Sequence, residues 1–184
     1  SEGTFGIVTR ATLRLVRQPE AWMTMLGVFE SVDDASRAVS GIIAAGILPA
    51  ALEMMDRLIV EAVEAAYHFG FPNDAGAVLI VELDGPRAEV EELFAVVQSV
   101  CRDAGATTLE VAADAAARDR IWKGRKAAFA AMGRVSPNYY VQDGVVPRTR
   151  LPEVLRRIRE LEARSGLRIG NVFHAGDGNL HPLI

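Results

Sequence analysis

Twice in succession this sequence runs an apolar β-rich stretch, an amphipathic helix period and a second β-rich stretch. That repetition predicts an α+β fold in which ferredoxin-like β-α-β repeats form an antiparallel sheet with helices packed on one face. The first unit spans Trp22 to Met55 and the second Ala77 to Val111. The length of 184 residues suits one domain, or one domain carrying a remnant of a second.

Phe5 to Val16 alternates Ile7, Thr9, Ala11, Leu13 and Leu15, which predicts a strand ending near Pro19. Trp22 to Phe29 reads as a second strand. Val32, Ala35, Val39, Ile42 and Ile43 share one helical face within Ser31–Ala45, with Ser31 as N-cap and Asp33 and Asp34 facing the positive helix start. Gly46 stops that helix, and Leu48–Met55 returns as a strand. Asp56 suits the cap of a helix running to about Phe69, closed by the Gly70-Phe71-Pro72-Asn73 breakers.

Ala77–Leu83 holds Val78, Leu79, Ile80 and Val81 in a row, a strand closed by Asp84-Gly85-Pro86. Val90, Leu93, Phe94, Val97, Val100 and Cys101 then mark an amphipathic helix ended by Gly105, followed by a short strand at Thr107–Val111. Beyond the repeats come an Ala-rich helix from Asp114 to about Met132 and a strand over Tyr139–Val146. A helix from Leu151 follows, with Pro152 in its first turn, and a last strand covers Arg168–Phe173.

The net charge of −4 argues against nucleic acid or an anionic membrane surface as partner. One cysteine, Cys101, allows no intrachain disulfide and points to a reducing, cytoplasmic compartment, with membrane association through partners left open; its place on a buried helix face makes it an inert small hydrophobe. No apolar run reaches the roughly 18 residues of a membrane span. A first residue of Ser1 and a still-apolar end at Leu183 and Ile184 predict that the chain continues in both directions.

The chemistry concentrates at the end. His174-Ala175-Gly176-Asp177-Gly178-Asn179-Leu180-His181 sets two imidazoles seven positions apart around two glycines. The glycines argue against a helix and for a tight loop that folds back, bringing both rings to one point. Neutral imidazoles suit zinc and similar divalent ions, which at catalytic sites take three protein ligands. Asp177 serves a turn as readily as a metal. A polar loop whose histidines satisfy backbone groups fits the same spacing.

The stretch Asn171–Pro182 resembles the metal-site motif of flavoproteins with a vanillyl-alcohol-oxidase type FAD domain. Within them it is most similar to the branch of glycolate oxidase D subunits and D-lactate dehydrogenases. Ser1-Glu2-Gly3-Thr4-Phe5-Gly6-Ile7-Val8-Thr9 resembles the last stretch of that family's FAD-binding domain. Ala51–Asp56, Trp122-Lys123-Gly124-Arg125 and Asp143–Pro147 match further signatures in order. The resemblance implies residues 1–18 as a remnant of the FAD-binding domain and 19–184 as the FAD-linked oxidase C-terminal domain, truncated at its C-terminus.

It further implies a fragment of an FAD-dependent 2-hydroxyacid oxidoreductase. His174 and His181 are then ligands of a divalent metal, zinc first. Arg125 becomes the clamp on a substrate carboxylate, its planar fork suited to that task. Gly3, Gly6 and Ile7 are the candidates for contact with FAD, glycine allowing close backbone approach. The family's third ligand, a glutamate, and its neighbouring general base fall beyond Ile184, so no catalytic residue is expected within the chain. Phe129, Val141 and Leu183 stand where the 2-hydroxyglutarate branch carries polar contacts, which implies a small monocarboxylic substrate such as glycolate or D-lactate.

The chain alone is expected to bind no FAD and oxidise nothing. Implied partners are the missing FAD-binding domain and other oxidase subunits or an electron acceptor, with a homo-oligomer also open. Trp122 reads as core and His68 as structural, Tyr139 and Tyr140 face opposite ways, and Glu53 has no assigned role. A non-catalytic ferredoxin-like ligand-binding or dimerisation module is the competing reading, and a self-contained metal hydrolase a third.

Overall fold

A computed structural model of the chain describes residues 3–184. In chain order the elements are β1 (Ala21–Phe29), α1 (Val32–Ala44), β2 (Ala51–Asp56), α2 (Arg57–Tyr67), β3 (Ala77–Gly85), α3 (Arg87–Asp103), β4 (Ala106–Val111), α4 (Ala115–Val135), β5 (Gly144–Val145), α5 (Leu151–Ser165), β6 (Gly170–His174) and β7 (Asn179–Leu183). The strands form one antiparallel sheet in the order β4-β1-β3-β2-β6-β7-β5. The first four strands in that order are the two predicted β-α-β units, interleaved.

Helices cover both faces of the sheet, not one. Met25, Phe29, Met54, Leu79 and Val81 pack with α1, α3 and α5, whereas Leu26, Met55, Val78 and Ile80 pack with α2 and α4. The cause lies in β2 and β3. Consecutive residues Val78 to Val81, and Met54 with Met55, are all fully buried, so neither side of the sheet can face water.

The helix starts match the side-chain chemistry. Ser31 Oγ accepts from Asp34 N at 3.1 Å, Asp56 Oδ1 from Ile59 N at 3.1 Å, and Asp114 Oδ1 from Ala117 N at 2.8 Å. His68 closes α2 in the left-handed conformation, φ 56°, a structural role. Cys101 is fully buried and burial pushes its thiol up to about 12, which leaves it unreactive.

Two predicted strands are corrected. Residues 3–20 form no strand; Phe5, Ile7, Leu13 and Leu15 are each at least 79% exposed. Period-two alternation makes a strand only beside a partner edge, and no described strand pairs with this stretch. Of Tyr139–Val146 only Gly144–Val145 is a regular strand, although the segment follows the hairpin further through a bridge from Val141 to Leu183 and backbone bonds of Tyr140 with Ile184, Gln142 with Pro182 and Val146 with Gly178. Tyr139 and Tyr140 do diverge: Tyr139 Oη donates to Phe129 O at 2.8 Å, while Tyr140 is exposed.

Asp56 has a second task. Its Oδ2 accepts from Asn171 N at 2.7 Å and Asn171 Nδ2 at 2.8 Å, tying β6 to the start of α2. Burial, with Glu162 adding, outweighs these bonds and pushes its carboxyl from 3.8 up to about 6. A carboxyl raised in the folded state binds its proton more tightly there than when unfolded. Its contribution to stability therefore falls as pH rises from about 4 to 6, opposite to a salt-bridged carboxylate. Chemical denaturation of wild type and Asp56→Asn across that window is expected to show the difference between them changing by at most about 3 kcal/mol, reduced by solvent at this part-exposed residue. A pH-independent difference would refute the assignment.

Candidate metal and carboxylate site

β6 and β7 make a hairpin whose register sets Val172 opposite His181 and His174 opposite Asn179. Alternation then puts His174 and His181 on one face as diagonal neighbours. Their ring centroids lie 5.3 Å apart, with the planes at 86°. The bend is built by Gly178 at φ 81°, whose N–H donates to His174 O at 3.0 Å, and by Asp177 Oδ1, which accepts from Asn179 N at 3.1 Å. Asp177 thus serves the turn.

Strand β2 runs beside β6 with Glu53 directly opposite His174. Glu53 Oε1 lies 2.7 Å from His174 Nδ1, and Oε2 accepts from Arg125 Nε at 3.1 Å and Nη2 at 2.8 Å. Arg125, from α4, is itself buried. The close approach of α4 depends on Gly124, where a Cβ would come within 2.4 Å of Phe71 Cζ. His181 has Phe129 edge-on at 5.9 Å and Asp143 Oδ1 at 3.6 Å from its Nδ1. Burial holds its imidazole below the usual value; Asp143 pulls it back up, while His174 and Arg125 add to the lowering. The result favours a neutral ring, the form that can ligate.

His174 therefore presents Nδ1 to a carboxylate and keeps Nε2 for other use, the arrangement in which metal-ligating histidines are held, while the Nδ1 of His181 only approaches Asp143. Among the described residues no cluster of three His, Cys, Asp or Glu side chains could hold an ion. Of the sequence-predicted site residues, Glu53 joins His174 to Arg125, and His181 stands against His174. Gly3, Gly6 and Ile7 do not join them: Ile7 is 89% exposed, and open space surrounds a Cβ built at either glycine. Ser1 and Glu2, the first residues of that motif, lie outside the described residues.

Of the three positions tied to substrate choice, Phe129 stands beside His181, Val141 is 44% exposed and Leu183 is fully buried in the core. Trp122 is structural: its Nε1 donates at 2.8 Å to Glu82, which also takes Arg118 and Thr24. Burial raises the Glu82 carboxyl, but these three partners outweigh it and hold it below its usual value. Glu53 and Asp143 were legible only as parts of motifs. The signal for Glu53 was one acid inside an otherwise apolar strand, a charge that demands partners.

The family model for FAD linked oxidases, C-terminal domain, matches residues 18–184. The chain belongs to this family. As a C-terminal domain of FAD linked oxidases it is 49% identical over 184 residues to the glycolate oxidase subunit GlcD of Escherichia coli K12, covering 100% of this chain and 37% of that protein. To GlcD of Bacillus subtilis it is 37% identical over 182 residues, 99% of this chain and 39% of the relative. To a probable mitochondrial D-lactate dehydrogenase of Danio rerio it is 34% identical over 194 residues, covering 100% of this chain and 37% of that one. The chain thus spans less than two-fifths of the length of these relatives. Its fold is shared with solved structures of alkyldihydroxyacetonephosphate synthase, TM-score 0.69 at 13% identity over 90% of this chain and 36% of that one, and p-cresol methylhydroxylase, TM-score 0.65 at 11% identity over 90% and 39%.

Proposed function

We propose that this chain is the substrate-and-metal part of an FAD-dependent dehydrogenase or oxidase that converts a small 2-hydroxy acid, glycolate or D-lactate, to the 2-oxo acid. Residues 19–184 are the oxidase C-terminal domain, and 1–18 end a preceding FAD-binding domain. The observation that carries this reading is the paired imidazoles beside the Glu53-bound Arg125. Their donor set fits a divalent ion such as zinc: two neighbouring imidazoles, one of them hydrogen-bonded through Nδ1 to a carboxylate so that Nε2 is left over.

His174 and His181 would hold the ion, which supplies Lewis acidity to a substrate oxygen. Arg125 binds the substrate carboxylate. Glu53 occupies Nε and one Nη2 proton of a guanidinium that has five N–H groups, so three remain for a ligand. Fixing the carboxylate orients the Cα hydrogen, and hydride acceptance belongs to the flavin. Open space around Gly3 and Gly6 suits backbone approach to that cofactor. The apolar side chain of Phe129 beside His181 offers no partner to a second carboxylate, which favours a monocarboxylic acid. A further oxidase subunit or electron acceptor completes the cycle. A cytoplasmic setting fits the single buried cysteine, and no helix among the described residues is long and apolar enough to cross a membrane.

Titrating the purified chain with cobalt(II), whose absorption reports imidazole ligation, tests the site. Wild type is expected to bind weakly through its two rings, and His174→Ala or His181→Ala to lower affinity at least about tenfold, ~1.4 kcal/mol. An unchanged titration in both variants would remove the metal reading. In the full-length enzyme, a preference for D-2-hydroxyglutarate over glycolate and D-lactate would overturn the substrate class.

A further inference from the structure

We infer that Glu53 is the positioning residue of this site: it fixes the tautomer of His174 so that Nε2 is the ligating atom, and it holds Arg125 by the same carboxylate. The inference rests on the metal reading above and adds to it the group that prepares the ligand.

An ionised carboxylate only accepts hydrogen bonds, so the 2.7 Å contact from Oε1 requires the proton on His174 Nδ1. A neutral imidazole carries one N–H, and Nε2 is then left with a bare lone pair. Arg125 occupies the other oxygen with two donors, which prevents the carboxylate from turning away from the ring. The strand register makes the arrangement rigid, since Glu53 and His174 are direct cross-strand partners. Among the described residues nothing comparable holds His181. Asp143 lies at 3.6 Å, beyond hydrogen-bond length, and its side chain is 62% exposed. One ligand of the pair is therefore fixed in advance, and one carboxylate links it to the arginine. A charge placed between buried Leu52 and Met54 is costly, and this double duty accounts for it.

Glu53→Gln gives a sharp test because it keeps the shape. Arg125 can only donate, so the glutamine carbonyl must face Arg125 and its amide NH2 must face His174. Nδ1 then has to accept, and the ring proton moves to Nε2. Long-range proton–nitrogen spectra of the imidazoles in the metal-free chain, at about pH 8 where a free histidine is neutral, read the tautomer directly. The expected result is Nδ1–H for His174 in wild type and Nε2–H in Glu53→Gln, with His181 unchanged. Cobalt(II) affinity of the variant is expected to fall on the order of 10–100-fold.

An Nε2–H tautomer of His174 in wild type overturns the inference without any variant, whatever the metal does. A loss of affinity in Glu53→Gln with the tautomer unchanged also overturns it, because a merely structural role would behave that way. If the tautomers invert as expected while wild type takes up no cobalt, the assignment of Glu53 to His174 stands and the metal reading fails. Should Glu53→Gln not fold, the wild-type spectrum alone decides.

Discussion

Gly178→Ala is expected to destabilise the chain by roughly 3–4 kcal/mol and to abolish cobalt(II) binding by the histidine pair. Gly178 sits at φ 81°, a conformation that costs an L-residue ~1–2 kcal/mol. The added Cβ would also lie 2.1 Å from Val146 O and 3.3 Å from Val146 C, which are backbone atoms and cannot rotate aside. Relief requires β5 to part from the hairpin, breaking the Val146 N to Gly178 O hydrogen bond of 3.0 Å. It also requires the 174–178 bend to open, and the bend sets the ring separation of 5.3 Å. Gly133→Ala is the matched control: it lies in α4 with nothing within 4 Å of its Cβ and is expected to stabilise by about 0.5–1 kcal/mol. Urea midpoints and cobalt titrations of the two variants read both effects. Near-equal stability of Gly178→Ala and wild type would mean that the bend does not constrain the site.

That bend was legible from Asp177-Gly178 alone, because an Asp-Gly step is a local instruction. The caps at Ser31 and Asp56 were legible for the same reason: each acts on a backbone N–H three residues away. What the sequence concealed depends on distant partners. The alternation of residues 5–16 specifies two faces but supplies no neighbouring edge. Helices on both sides of the sheet follow from the unbroken Val78–Val81 run, a reading that competes with one-sided packing until α2 and α4 are placed. Strand β7 was hidden by Pro182, which discourages a strand assignment, yet it aligns His181 with Val172. Glu53 stood 72 residues from Arg125 and 121 from His174 in the chain, and no local pattern joins residues at such separations.

The second large effect concerns Arg125 and separates its two tasks. Arg125→Ala is expected to cost about 3–5 kcal/mol, because it leaves the buried Glu53 carboxylate without its counter-charge. Loss of turnover in that variant would therefore report folding as much as substrate binding. Arg125→Lys keeps the charge but replaces the fork by a single point donor, so stability should fall less while a planar carboxylate is gripped less well. Replacing both partners by apolar residues, Glu53→Leu with Arg125→Met, removes the charge and the need for it together and is expected to be less damaging than Arg125→Ala alone. Thermal and urea unfolding of the three variants gives that order. If Arg125→Ala proved as stable as wild type, the buried pair would carry no structural load. In the full-length enzyme Arg125→Lys is then the informative variant. A raised KM for hydroxy acids with the fold intact is what a carboxylate anchor predicts, whereas a purely structural arginine predicts none.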